Sequence, residues 1–99
     1  MSYEKLGEIH QAFGNLDKSL EFFELRMQLS KQLYDSNPKN ESLKNGLAIS
    51  YYKLGTIYQD KIQAKFQYQT AINLWQELYD LTGIKTYKEY IEEVKPLVN

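Results

Sequence analysis

The sequence predicts an all-α fold, and three observations lead to this prediction. Glycine and proline are sparse, with five and two among 99 residues, and they fall between segments of helical length. Within those segments the apolar residues recur at steps of three and four, which is the period of one helix face. The sequence has no run of alternating β-branched residues bounded by hairpin turns. We therefore expect antiparallel helical hairpins in tandem.

The first half of the chain is expected to hold two helices. The first runs from Ser2 to Phe13, where Gly14 and Asn15 interrupt it. The second carries two apolar stripes and should therefore contact neighbours on two sides. Pro38 stops it, because proline disfavours helical geometry in the preceding residue. The two stripes are Leu16, Leu20, Phe23, Met27 and Tyr34, and Phe22, Leu25, Leu29 and Leu33.

The second half is expected to hold two long segments and a short final helix. Asn40 is the expected N-cap of the third segment, and Gly83 can take the left-handed conformation that ends the fourth. Thr86 is expected to cap the final helix, which Pro96 ends and which would act as a lid. The apolar residues of the third and fourth segments are Leu43, Leu47, Tyr51, Leu54 and Tyr58, and Ile62, Phe66, Ala71, Ile72, Trp75, Leu78 and Tyr79.

An internal repeat relates the two halves. Residues 3–10 are echoed by residues 51–58, a shift of 48 positions at which Lys, Leu, Gly and Ile are identical. Residues 32–35 are echoed by residues 77–80 with a shift of 45. The shift changes because the turn Gly14-Asn15-Leu16 has no counterpart in the second unit.

The repeat sets the expected domain organisation. We expect one domain over residues 1–99, with a first repeat at about 2–38 and a second at about 40–82. A capping helix at about 86–95 would follow. The chain is thus interpreted as two helical hairpins and a lid.

The repeated pattern of an aromatic residue, Leu-Gly and a second ring resembles the tetratricopeptide repeat family. The resemblance implies an α-solenoid fragment in which Gly7 and Gly55 remove a side chain where paired helices approach closely, beside aromatic rings. The spacing of 48 exceeds the ~34 residues usual for this family, and stacked repeats usually number about three. The matching residues are Tyr3, Leu6, Gly7, His10, Ser19, Phe23 and Pro38, and Tyr51, Leu54, Gly55, Tyr58, Ala64, Tyr68 and Ala71.

Composition and motifs disfavour several classes of function. A net charge of −1 is too small to attract nucleic acid or an anionic membrane by electrostatics. The sequence has no cysteine, so it has no disulfide framework. The start of the chain lacks a signal-peptide pattern, so the cytoplasm is the expected compartment. His10, the sole histidine, is expected to be a buried packing residue rather than a metal ligand. We expect no enzymatic activity, no metal and no cofactor, because no catalytic or phosphate-binding motif occurs.

The resemblance implies that the first helices of the repeats line a concave groove for a peptide or a partner's helix. Lys53 is expected at the edge of this groove. One subclass of the family clamps C-terminal carboxylates with lysines and asparagines, but Glu4, Glu8, Tyr52 and Thr56 occupy the equivalent places here, so such a clamp is not expected. The expected peptide-binding residues are Glu4, Glu8, Gln11, Tyr52, Lys53, Thr56 and Gln59.

Two alternatives concern assembly. The chain could be a fragment of a larger repeat array, or a self-assembling structural module. Residues 41–81 lack a strong helix breaker, so they could form one helix of ~60 Å, too long for a monomer of this size to cover. A domain-swapped homodimer would then cover it. The alternative interpretation of the same residues is an ordinary turn at Gln59 to Lys61, which would separate two helices.

Overall fold

The computed structural model describes residues 2–99, and within that range it contains five α-helices and no strand. Each helix packs on the next one along the chain, so α1 with α2 and α3 with α4 form antiparallel hairpins, and α5 covers α4. The all-α prediction is confirmed. The helices are α1 Tyr3–Ala12, α2 Leu16–Ser36, α3 Glu41–Ile57, α4 Lys61–Thr82 and α5 Lys85–Val94, followed by a 3-10 helix at Lys95–Leu97.

Local residues set several of the helix ends. Asn40 caps α3 by accepting a hydrogen bond from the backbone N–H of Leu43 at 3.0 Å, as predicted. Gly83 ends α4 in the left-handed conformation with φ of 69°, also as predicted. The prediction that Thr86 caps the final helix is wrong. The helix begins at Lys85, and its N-cap position is Ile84, which makes no side-chain cap hydrogen bond.

The continuous helix over residues 41–81 is not formed, because α3 ends at Ile57 and α4 begins at Lys61. Asp60 supplies the break, since its carboxylate accepts hydrogen bonds from the backbone N–H groups of Ile62 at 2.8 Å and Gln63 at 3.2 Å. The second hairpin therefore closes within one chain. A domain-swapped dimer is then not needed to cover a long helix.

The apolar core has two parts. A smaller cluster of Phe23, Leu54 and Ile57 joins α2 to α3. Two predicted members of the core stripe lie outside it, because Ile62 is 81% exposed and Phe66 is 66% exposed near the start of α4. The larger cluster joins α3, α4 and α5 and consists of Ala48, Ala71, Ile72, Trp75, Leu78, Tyr87, Ile91 and Val94.

A glycine faces an aromatic ring at the centre of each hairpin. A Cβ atom added to Gly7 would lie 2.9 Å from a ring carbon of Phe23, and one added to Gly55 would lie 2.6 Å from a ring carbon of Tyr68. Real Cβ atoms do not approach other atoms this closely. The prediction that these glycines mark a close helix approach beside aromatic rings is confirmed.

The two hairpins are joined by polar contacts between α2 and α3. The guanidinium of Arg26 donates to the hydroxyl oxygen of Ser50 at 2.6 Å, and Ser50 in turn donates to the carbonyl of Gly46 at 2.9 Å. The Tyr58 hydroxyl donates to the Glu24 carboxylate at 2.9 Å. The hydrogen bonds from Arg26 to Ser50 and from Tyr58 to Glu24 fix the register of α3 along α2, because each needs one particular pair of positions.

The glycine contact predicts opposite effects for two Gly→Ala substitutions in the same helix. Gly55→Ala should destabilise the protein by about 1–3 kcal/mol, because the new methyl group overlaps the Tyr68 ring. Gly46→Ala is the matched control, since a Cβ there has no neighbouring atom within 4 Å. It should stabilise α3 by about 0.5–1 kcal/mol through backbone entropy. Urea unfolding of the three proteins measures both effects, and equal effects at the two positions would contradict this account.

Alkaline pH should weaken the attachment of α5. Burial and the adjacent Glu41 carboxylate raise the pKa of Tyr87 to about 12, against ~10 for a tyrosine in an unfolded chain. The folded protein therefore holds the phenol proton more tightly than the unfolded chain does. The contribution of this proton to the free energy of unfolding is complete below pH ~10 and is lost as the pH rises towards the pKa of the folded state.

We expect the urea midpoint to fall between pH ~10 and ~12, and to fall less in Tyr87→Phe. Tyr3→Phe is the control, because Tyr3 lies on the surface and does not contact α5. If the urea midpoint of Tyr87→Phe changes with pH as much as that of the control, Tyr87 contributes nothing to the loss of stability at alkaline pH.

Candidate functional site

Long charged side chains bridge the first helices of the two hairpins. The ammonium nitrogen of Lys53 on α3 lies 3.7 Å from a carboxylate oxygen of Glu4 and 3.5 Å from one of Glu8, both on α1. The guanidinium of Arg26 on α2 lies 3.8 Å from the Glu4 carboxylate. Lys53 thus ties α1 to α3 by ion pairs, and the pairs are partly exposed along one face of the molecule.

An aromatic cleft of about 190 Å³ adjoins this charged cluster. Its walls come from α3, α4 and α5, and Lys53 belongs both to the cleft and to the ion pairs with α1. The ring centroids of Tyr52 and Trp75 are 6.4 Å apart, and those of Trp75 and Tyr90 are 5.2 Å apart. The cleft is lined by Ile49, Tyr52, Lys53, Trp75, Tyr90, Glu93 and Val94.

Partly buried hydrogen bonds hold the walls of this cleft in place. The indole N–H of Trp75 donates to the Asn45 side-chain carbonyl at 2.9 Å, which fixes the Trp75 ring against α3. The Tyr87 hydroxyl donates to the Glu41 carboxylate at 2.7 Å and so anchors α5 to the start of α3. The cleft is therefore formed by side chains whose positions are already determined by the fold.

The structure brings together only some of the predicted binding residues. Glu4, Glu8, Tyr52 and Lys53 converge on one surface. Lys53 lies between the α1 carboxylates and the aromatic cleft. The binding role of these residues stays a prediction.

The remaining three predicted residues lie apart from the cleft. Gln11 and Thr56 are exposed, and the Thr56 hydroxyl donates back to the Lys53 carbonyl at 2.6 Å. Gln59 was expected on the same helix face, but it follows the end of α3 at Ile57. It lines a separate small pocket beside Leu16 near the start of α2.

Sequence reasoning missed five residues that line the cleft, and one of them, Ile49, had no predicted role. Apolar spacing alone places Trp75 in the core of the fourth segment, and it says nothing about Glu93. Tyr90 and Val94 fall in the predicted capping helix. For the three residues on α5 the signal is their spacing, since Tyr90, Glu93 and Val94 recur at steps of three and four along one side of that helix.

His10 packs on an aromatic ring but is not fully buried as predicted. Its ring stacks on Phe22 with centroids 5.5 Å apart and planes at 13°. Over residues 2–99, no cluster of three or more histidine, aspartate or glutamate residues has the arrangement of a metal site. In the same range, none of the helices has both the length and the hydropathy of a membrane span.

Protein-family models, curated proteins and solved structures give no match to the chain. The resemblance to tetratricopeptide repeats therefore stays a prediction that rests on the repeated residues of the sequence.

Proposed function

We propose that this protein is a non-enzymatic interaction module that binds a peptide or a partner's helix across α1, α3 and α5. The observation that supports this most directly is the position of Lys53. It joins the ion pairs of α1 to the wall of the aromatic cleft between α3 and α5, so the two features form one continuous surface. We call this the α1/α3/α5 surface.

The shape of the cleft favours an apolar or aromatic side chain as the anchor of the ligand. Three aromatic rings and two aliphatic side chains form its walls, and such walls gain free energy by covering an apolar group. A preformed cleft also loses little conformational entropy on binding. A volume of about 190 Å³ suits one or two side chains rather than a whole cofactor.

The charges around the cleft favour basic residues beside that anchor. The α1/α3/α5 surface carries the carboxylates of Glu4, Glu8 and Glu93 against the cations of Lys53 and Arg26. The Lys53 charge is shared between two carboxylates, and Glu93 forms the far rim of the cleft. A lysine or arginine next to the anchor would therefore meet complementary charge.

Selection from a displayed library of short linear peptides, followed by calorimetry, tests the proposal. Peptides with an apolar anchor and a neighbouring basic residue should be enriched. Tyr52→Ala should weaken their binding by about 1–2 kcal/mol, because it removes one aromatic wall. Thermal unfolding of the variant shows whether the fold is preserved.

Two adjacent glutamates on α5 provide a matched pair of charge reversals. Glu93→Lys should weaken the selected peptides, because Glu93 lines the cleft. Glu92→Lys makes the same charge change at an exposed position that does not line it and should have little effect. Equal effects of the two variants, together with an unaffected Tyr52→Ala protein, would place any binding site elsewhere.

A further inference from the structure

The aromatic cleft between α3, α4 and α5 is a corner formed by three rings. Trp75 is its floor, since it is only 3% exposed, and the partly exposed Tyr52 and Tyr90 complete the aromatic part of its wall. The ring planes of Tyr52 and Tyr90 are tilted by 50° and 47° against that of Trp75. The rings are therefore not closed into a flat stack. A group that enters the cleft contacts more than one of them, because all three line it.

A cleft of this kind can bind a cation as well as an apolar group. The face of an aromatic ring carries partial negative charge, and it attracts a cation within about 6 Å of the ring centroid, most strongly when the ring is tryptophan. The indole N–H of Trp75 already donates to the Asn45 side chain at 2.9 Å. The indole therefore presents ring surface to a ligand and no free hydrogen-bond donor.

Glu93 adds a negative charge to the rim of the cleft. Its side chain is exposed and lines the cleft beside the rings. Among residues 2–99, no lysine or arginine forms an ion pair with it. The carboxylate is thus available to a positively charged ligand.

Lys53 does not cancel the negative charge at this surface. Among the described residues that line the cleft it is the single cation, and its ammonium lies 3.5 Å from the Glu8 carboxylate and 3.7 Å from that of Glu4. Both ion pairs hold the ammonium towards α1. The carboxylates of Glu4, Glu8 and Glu93 outnumber the cations even when Arg26, 3.8 Å from Glu4, is counted with Lys53.

An unmodified lysine or arginine side chain suits the cleft itself poorly. The lysine ammonium is strongly hydrated and has three N–H donors, and each donor needs an acceptor when water is removed. The cleft offers the Glu93 carboxylate and otherwise mainly ring and aliphatic surface, so a bare ammonium would lose hydrogen bonds there. Methylation keeps the positive charge, removes donors and adds apolar surface that the rings can cover.

We propose that the anchor of the ligand is a trimethylated lysine, whose trimethylammonium group enters the aromatic cleft beside Glu93. This inference rests on the proposed function, because it names the chemistry of the anchor at the same α1/α3/α5 surface. Such an anchor combines an apolar surface, which the rings cover, with a positive charge, which the rings and Glu93 attract.

The geometry favours a lysine in a peptide over a free quaternary ammonium such as a choline headgroup. The surface continues from the cleft past Lys53 to the carboxylates of Glu4 and Glu8. A peptide that is anchored in the cleft can place its neighbouring basic residues there. A phosphocholine group has no such residues, and its phosphate would be repelled by the Glu93 carboxylate.

Small probes separate the contribution of charge from that of apolar surface. The probes are N-acetyl trimethyllysine amide, its neutral isostere with a tert-butyl group in place of trimethylammonium, N-acetyl lysine amide, and phosphocholine. Amide chemical shifts of the whole chain, followed during titration, give each dissociation constant. We expect trimethyllysine to bind about tenfold more tightly than the isostere or lysine, and more tightly than phosphocholine, with the largest shifts at residues 49–53 and 90–94.

Substitutions at the rim and the wall test the contact with the cation. Glu93→Gln keeps the size of the side chain and removes its charge, so it should weaken the trimethyllysine probe about two- to fivefold and leave the neutral isostere unchanged. Glu92→Gln is the matched control, since Glu92 is exposed and does not line the cleft. Tyr90→Leu keeps an apolar side chain but removes one ring, and it should lower the preference for trimethyllysine over the isostere. Thermal unfolding shows whether each variant keeps the fold.

Equal affinity for trimethyllysine and its neutral isostere would overturn the inference and leave the proposed function intact, because the cleft would then be an apolar pocket only. Tighter binding of phosphocholine would also overturn it, since the cleft would then suit a choline headgroup. If no probe binds while selected peptides bind at the α1/α3/α5 surface, the methylated anchor is wrong and the proposed function stands. If the selected peptides also fail to bind, both are wrong.

Discussion

The close approach of a glycine backbone to an aromatic ring is the constraint on which the two hairpins depend. Gly7 meets Phe23 in the first hairpin, and Gly55 meets Tyr68 in the second. With no Cβ at these positions, each ring can lie against the backbone of the facing helix. The recurrence of the contact at equivalent positions makes the two hairpins similar in packing as well as in sequence.

The candidate surface follows from this arrangement of the helices. When α1 and α3 each pack on the helix that follows, their remaining sides face the same way, and Lys53 can reach the α1 carboxylates. The helix α5 then covers α4 and supplies the far wall of the cleft through Tyr90 and Glu93. The lid predicted from the sequence therefore also lines the site.

The sequence predicted the helices and the repeat, but it could not settle two kinds of detail. Apolar periodicity left both a continuous helix and an ordinary turn open at residues 59–61, and the structure has the turn, where the Asp60 carboxylate caps α4. Ile62 and Phe66 keep the helical spacing of the core stripe but lie where no neighbouring helix covers them. Periodicity identifies a face of a helix, but only tertiary packing decides how far along that face a neighbour extends.

The cleft was harder to predict because its walls come from three helices. Tyr52 was found from its own helix face, while Trp75 and Tyr90 were interpreted as core and lid residues. Their shared role depends on the separation of α3 and α5, which no local pattern encodes. The ion pairs of Lys53 likewise join residues 45 and 49 positions apart in the sequence.

The most direct test of the central claim is an amide chemical-shift map of the chain as a selected peptide is added. We expect the largest changes at residues 49–53 and 90–94, with smaller ones along α1 at Glu4 and Glu8. Changes concentrated instead on the exposed side of α4, around Ile62 and Phe66, would contradict the claim that the α1/α3/α5 surface binds the ligand.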